Sequence, residues 1–219
     1  YVLYSLLSVV ALLVASPYLL YQAVRHRKYV RNLRQRLGYL PLSFNLDGEA
    51  SIWIHAVSVG ETLTSRALIG DLKARYPHLK LFLSTTTMTG NEVAKKTIRG
   101  VDGLFYAPFD FPHPVRKALD VRNPSLPVLM ETEIWPNLYH ECGRRRVPLV
   151  LASARISPRS VGRYRRLAGL FRETLSHGIV IAAQSEGDAE RFRSIGANPA
   201  KTHVTGNIKF DFELPPEIA

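Results

Sequence analysis

The sequence predicts an α/β fold: a doubly wound parallel sheet with helices on both faces, preceded by an N-terminal transmembrane helix. Two observations lead there. From Ser51 onward, short runs rich in Val, Ile, Leu and Phe alternate with longer amphipathic stretches. That is the pattern of buried parallel strands joined by crossover helices. Ahead of this region, Tyr1 to Val24 carries no charged residue.

Taken in order, the N-terminal run would extend roughly 36 Å as a helix at about 1.5 Å per residue, enough to cross a bilayer. Pro17 is tolerable there as a kink. "RHRKYVRNLRQR" follows and places Arg25, Arg27, Lys28, Arg31, Arg34 and Arg36 close together. A signal peptide carries its charges before the apolar run. The reversed order reads as an anchor whose C-terminal side faces the cytoplasm, with its basic flank against anionic head groups. The other reading of the run is a buried helix of the globular domain. Strands are then expected at "SIWIHAV", "LKLFLSTTT", "GLFYAP", "LPVLME", "VPLVLASA", "IVIAAQS" and "HVTG". Helices are expected over Glu61–Tyr76, Asn91–Arg99, Pro114–Val121, Pro136–Arg146, Ser160–His177 and Glu186–Ile195. Pro136 in a first turn and Thr89 three residues before Glu92 mark two of the starts. The chain thus divides into an anchor at 1–24, a basic membrane-proximal segment at 25–50 and a sheet domain at 51–205.

Composition narrows the function. The 219 residues suffice for one domain plus an appendage, and their formal charge of +11 favours a polyanionic partner. The single cysteine, Cys142, excludes an intrachain disulfide. No Gly-rich dinucleotide fingerprint, no P-loop and no G-x-S-x-G elbow is present, which removes most support for nicotinamide chemistry, P-loop hydrolysis and serine hydrolysis. No nucleic-acid module is recognisable either, so an anchored chain suits lipid better than nucleic acid.

Ligands of doubly wound sheets bind where strands end and helices begin. At the first such exit, "SVGE", Ser58 and Glu61 fit a capping box in which each side chain binds a backbone N–H of the other residue. The same geometry suits a general base. Gly60 permits close approach, and the positive helix end would keep the Glu61 carboxylate ionised. The two roles are compatible. At "METEIWPNL", Glu131 and Glu133 share a face if the strand continues through them. They would then form a metal site or an acid/base pair; alternatively Glu133 caps the helix opened by Pro136 while Trp135 packs on the sheet. Two acids beside an indole would suit a sugar. At "SARISPRSVGRYRR", Arg155, Arg159, Arg163, Arg165 and Arg166 crowd a helix start, either as a phosphate site or as a solvated basic face. Lys209 lies just beyond the last expected strand.

Together, "HAVSVGE", "METEIWPNL", "ASARISPRS", "AAQSEGDAERF" and "TGNIKFD" resemble, in order and spacing, the bacterial 3-deoxy-D-manno-octulosonic acid (Kdo) transferases of lipopolysaccharide biosynthesis. The resemblance covers the whole chain. It implies one Rossmann-like half of a GT-B glycosyltransferase at the bacterial inner membrane, with its catalytic domain in the cytoplasm. This half would bind the acceptor, a phosphorylated lipid A precursor; the other would bind the donor, CMP-Kdo. Transfer would be inverting, with no metal and no cofactor. Glu61 would be the base, and Ser58, Gly60, Glu131, Glu133, Arg155, Ser157 and Lys209 would bind substrate. Ser153 stands where the family commonly has Asn, which puts a hydrogen bond there in doubt. Family members are about twice this length, so 206–219 is expected to open a connection to a donor half, and these 219 residues alone are expected not to turn over. The competing reading is a membrane-anchored module that binds anionic lipid without chemistry.

Overall fold

The computed structural model describes residues 2–26, 32–40 and 49–211. The side chains at both ends of the first helix, that of Arg122, the basic residues Arg27, Lys28 and Arg31, and the stretch 212–219 lie outside the described set.

Seven strands form one all-parallel sheet: β1 (Ser51–Ala56), β2 (Lys80–Thr85), β3 (Gly103–Tyr106), β4 (Pro124–Met130), β5 (Leu149–Ala154), β6 (Ile179–Ala183) and β7 (Thr202–Val204). Their order across the sheet is β3-β2-β1-β4-β5-β6-β7, so the winding reverses between β1 and β4. Every residue of β1 is buried, because helices cover both faces. Strand alternation sorts the side chains. Trp53, Phe82, Phe105, Leu129 and Leu151 point to one face and meet α5 (Pro112–Arg122), α6 (Pro136–Arg144), α8 (Ala168–Ser176) and α9 (Glu186–Ser194). Ile52, Ile54, Leu81, Leu83, Val128 and Met130 point to the other and meet α3 (Val59–Arg75) and α4 (Met88–Thr97). Each fully buried large apolar side chain contributes about 1.5–3 kcal/mol.

Two helix expectations change. The start of α4 is capped by Thr87, whose hydroxyl accepts from Gly90 N–H at 3.0 Å, and not by Thr89. The single helix expected over Ser160–His177 breaks at Leu167 into α7 (Pro158–Arg166) and α8. The cause is packing. α8 buries Phe171, Thr174 and Leu175, whereas α7 buries nothing. Tyr164 and Phe171 meet edge to face across the joint, 4.8 Å between ring centres.

The N-terminal run forms one helix, α1 (Val2–His26), with Pro17 inside it. Among the described residues no helix is long and apolar enough to cross a membrane. The transmembrane helix expected from the sequence is therefore not found. Neither is α1 a buried core helix, since Leu13 and Val14 are 65% and 77% exposed. Its N-terminal end touches the domain through Tyr4 Oη, which donates to Asp110 at 3.2 Å, and Ser5 Oγ, which donates to Asn137 at 3.1 Å.

The segment expected to lie at the membrane contributes instead to the fold where it is described. The short helix α2 (Leu33–Arg36) sits against β3. Arg36 is buried, donates to the Thr86 carbonyl at 2.6 Å and stacks over Tyr106 at 4.9 Å. Gln35 accepts from Tyr106 N–H, and Leu40 joins the core. A chain starting at Asn32 should therefore unfold cooperatively in urea at nearly the parent midpoint. One starting at Ser51 should lose about 3 kcal/mol or more, since a buried leucine and a charge-assisted hydrogen bond go together. Equal stability of the two truncations would show that α2 is not part of the folding unit.

Candidate active site

The strand order reverses between β1 and β4, the switch point at which such sheets open a crevice, and the acids singled out in the sequence lie at the exits of these two strands. At the exit of β1, Ser58 caps α3 by accepting from Glu61 N–H at 3.3 Å. The Glu61 carboxylate returns by an altered route. One oxygen accepts from Val57 N–H at 2.8 Å and the other from the Ser58 hydroxyl at 3.0 Å. The expected bond to the capping residue's own N–H is replaced. Val57 is held in turn by Thr87, whose N–H and hydroxyl both donate to its carbonyl. Gly60 is exposed at the crevice side of this turn.

Burial pushes the Glu61 carboxyl above its ordinary range, against the bonds from Val57 and Ser58; Glu131 adds to the rise and Lys209 opposes it. The helix end was expected to favour the ionised carboxylate; burial acts in the opposite direction and is the largest influence on this group.

At the exit of β4 the strand stops at Met130, and Glu131 adopts a left-handed backbone with φ 57°. Glu131 and Glu133 therefore do not share a strand face. Their environments diverge. Glu131 is 6% exposed and its two oxygens meet Arg155 Nε and Lys209 Nζ, each at 2.8 Å. Glu133 has no cation among the described residues; it accepts from Trp135 Nε1 at 2.7 Å, and burial with the nearby acids Glu61 and Glu131 pushes it to about 7. Nor does Glu133 cap α6. The free N–H groups of Asn137 and Leu138 are taken by Asp110, whose carboxyl burial raises to about 6.

Trp135 packs edge to face on His55 of β1, 4.6 Å between ring centres. His55 lies 2.8 Å from Ser84 Oγ, which also accepts from Trp53 Nε1. Full burial lowers the imidazole to about 3, which favours the neutral ring against which Trp135 packs. At the exit of β5, Ser157 caps α7 and Arg155 leaves the sheet edge toward Glu131. Arg159, Arg163, Arg165 and Arg166 are exposed. Ser153, also left-handed at φ 50°, receives Gln184 Nε2 on its hydroxyl at 3.2 Å, so a hydrogen bond survives the shorter side chain. Sequence reasoning missed His55, Asp110 and Asp188. Only Asp188 carried a local signal: it stands three residues after Ser185, whose hydroxyl caps α9 and lies against it. Among the described residues no cluster of His, Cys, Asp and Glu could hold a metal ion.

Fold and crevice define a Rossmann-like α/β domain with carboxylates gathered at the topological switch point. The chain belongs to the 3-deoxy-D-manno-octulosonic-acid transferase (kdotransferase) family, whose pattern matches residues 31–212. It is similar to 3-deoxy-D-manno-octulosonic acid transferase of Haemophilus influenzae, 34% identical over 90% of this chain and 46% of the relative. The enzyme of the same description from Bordetella pertussis is 37% identical over 76% of this chain and 39% of its own length. The chain thus spans about half the length of the curated relatives it matches. Among solved structures, UDP-GlcNAc 2-epimerase from Neisseria meningitidis shares the fold, with TM-score 0.52 and 12% identity over 73% of this chain and 47% of that one.

The Glu133 carboxyl gives a pH test with a definite sign. Its folded value of about 7 exceeds an ordinary carboxyl, so the folded state holds its proton longer than the unfolded state. Its contribution to stability is full below about pH 4.5 and is lost as pH rises through about 7. Asp110 acts the same way at lower pH, between its ordinary value of 3.8 and about 6. Glu133→Gln keeps the acceptor for Trp135 and removes the ionisation. The variant should gain on the parent progressively from pH 5 to 8, by a few kcal/mol at most, in urea melts. A parallel pH dependence for the two proteins would contradict the shift.

Proposed function

We propose that this chain is the acceptor-binding half of a glycosyltransferase that moves Kdo from CMP-Kdo to a phosphorylated lipid A precursor. Family membership supports the reaction class, and one geometric observation carries the assignment of the base. Glu61 stands at the switch-point crevice with both oxygens tied only to Val57 N–H and the Ser58 hydroxyl among the described residues. It is the acid of this crevice that neither a cation nor an indole engages directly.

In the reaction, an acceptor hydroxyl replaces the Ser58 hydroxyl on Glu61. Its proton passes to the carboxylate while its oxygen bonds to the anomeric carbon of Kdo from the face opposite the phosphate. The bond from that carbon to the phosphate oxygen breaks, and its electron pair leaves on CMP. Configuration inverts, and no metal or cofactor enters. An acid whose proton affinity is raised by burial is a stronger base once ionised. Gly60 keeps the approach open, and Trp135 offers a ring for the apolar face of a sugar. Glu131, held by Arg155 and Lys209, shapes the floor, and Ser157 orders the α7 end. The donor would bind a second half joined through the connection that Lys209 opens. The protein would work at the cytoplasmic face of the bacterial inner membrane, a placement supported by the exposed apolar side chains of α1.

The test is Glu61→Gln in a two-domain enzyme carrying this chain as its acceptor half. Glutamine keeps the shape and an acceptor oxygen but takes no proton. Turnover should fall by about 10² to 10⁴, the usual worth of a positioned base, while acceptor affinity holds. Retention of more than about a tenth of parental turnover would remove Glu61 from that role.

A further inference from the structure

Between the end of β4 and the start of α6, a short loop carries Glu131, Glu133 and the indole of Trp135. Within it, Glu133 Oε2 accepts from Trp135 Nε1 at 2.7 Å, a bond between side chains only two residues apart. Tyr139, fully buried in the first turn of α6, fixes the backbone at both ends of this bond. Its hydroxyl donates to the Glu133 carbonyl at 2.9 Å, and its N–H donates to the Trp135 carbonyl at 2.9 Å. The ring meets His55, which is buried and held 2.8 Å from Ser84 Oγ. Trp135 is nevertheless only partly buried. The indole is thus fixed at its nitrogen and against His55, while part of its surface stays open.

A carboxylate beside an indole could either bind a substrate hydroxyl or hold the ring, and the surroundings of Glu133 favour the second role. One of its oxygens is engaged by the indole, and the groups around it oppose its charge. Burial is the main influence; Glu61 on α3 and Glu131 in the same loop add to it as acids. Tyr139 on α6 and Tyr164 on α7, both raised mainly by burial, also feel the charge of Glu133. The cations Arg155 and Lys209 meet Glu131 instead. The indole N–H, for its part, is a donor with no acceptor capacity. Once Glu133 satisfies it, only the ring is left to a ligand, and a ring suits the apolar C–H face of a pyranose better than its hydroxyls. An unanchored indole would have to be ordered as the sugar binds, and that ordering costs affinity. The bond to Glu133 removes the cost in advance.

We propose that Glu133 is a positioning residue, which holds Trp135 as the stacking platform for the acceptor sugar and makes no contact of its own with substrate. This role differs from the direct substrate contact that the family resemblance implies for Glu133. It rests on the reading of Trp135 as a sugar platform and adds the residue that sets the platform. Glu133 and Trp135 then act as one unit. Loss of the acceptor or loss of the ring weakens sugar binding, and loss of both does no further harm.

Two measurements test this. In the 219-residue chain, which has two tryptophans, the indole N–H signals are followed by NMR from about pH 5 to about pH 8. The Trp135 signal should move with a midpoint near 7, as Glu133 ionises and the hydrogen bond becomes charge-assisted. Glu133→Gln should abolish the movement. Trp53, bonded to Ser84, should stay still and reports that the fold is intact. A Trp135 signal indifferent to pH breaks the link between the two side chains and overturns the proposal, and this arm needs no turnover. In a two-domain enzyme carrying this chain as its acceptor half, Trp135→Ala should raise the acceptor KM about tenfold or more. Glu133→Ala should raise it about threefold or more, with kcat changed far less in both. Glu133→Gln, which keeps an oxygen for the indole, should recover most of the Glu133→Ala loss. The double variant, Trp135→Ala with Glu133→Ala, should match Trp135→Ala alone, since the carboxylate then has nothing to hold. Additive losses in the double variant, or a collapse of kcat in Glu133→Gln, would place Glu133 on the substrate and overturn the proposal. A parental KM in Glu133→Ala overturns it as well. A parental KM in Trp135→Ala removes the platform reading itself, so the two failures are told apart.

Discussion

Pairing of β1 with β2 on one side and β4 on the other, all parallel, is the constraint from which the rest of this molecule follows. Right-handed crossovers then send α3 to one face and the helix before β4 to the other. The chain leaves β1 and β4 in diverging directions, and the space between their exits cannot be filled by either connection. Glu61 comes from one side of that gap and Glu131 and Glu133 from the other. The register irregularity between β1 and β4 lies at Ser51 and Ile52, at the opposite end of the pair. The ladder nearest the crevice is therefore regular, and His55 meets Trp135 across it.

Three carboxyls this close would repel one another if all were ionised in equal surroundings. The fold makes the surroundings unequal. Glu131 is buried but flanked by two cations. Glu133 is buried beside a neutral indole and is pushed to about 7. Glu61 is raised by burial and held by two neutral donors. Unequal surroundings of this kind let neighbouring acids take different roles. The left-handed backbone at Glu131 is part of the device. A glutamate gains nothing locally from φ 57°, so that conformation is maintained by the ion pairs that turn its side chain inward.

The sheet was legible because its strands are buried on both faces and appear as near-continuous apolar runs with helical periods between them. The strand exits followed from that pattern, and Glu61, Glu131, Glu133 and Arg155 with them. What was hidden depends on contacts distant in sequence. Nothing near Glu131 announces a left-handed turn, so whether the strand continued through it stayed open. No local pattern marks Asp110, which supplies the missing cap of α6 from 27 residues away. Arg36 belonged to a basic run that reads as a membrane flank; only the position of the Thr86 carbonyl and the Tyr106 ring shows it to be interior. The break at Leu167 was invisible for a related reason. The pattern reads as one continuous helix, but only the α8 part buries side chains against the domain.

The same two hydrogen bonds on Glu61 explain why capping and base catalysis need not compete. Val57 N–H fixes one carboxylate oxygen, and Val57 is itself held by Thr87 on the neighbouring strand exit. The other oxygen accepts only the Ser58 hydroxyl among the described residues. A substrate hydroxyl arriving there exchanges one O–H donor for another, so the hydrogen-bond count is conserved and the cost of displacement is small. Ser58 retains its bond from Glu61 N–H throughout, which keeps the helix start intact. On the proposed reading, the serine hydroxyl holds the place of the acceptor hydroxyl, and the cap keeps the carboxylate aimed before any substrate binds. Such preorganisation would be lost if Glu61 bonded the backbone N–H of Ser58 instead, because that donor is part of the turn and cannot give way.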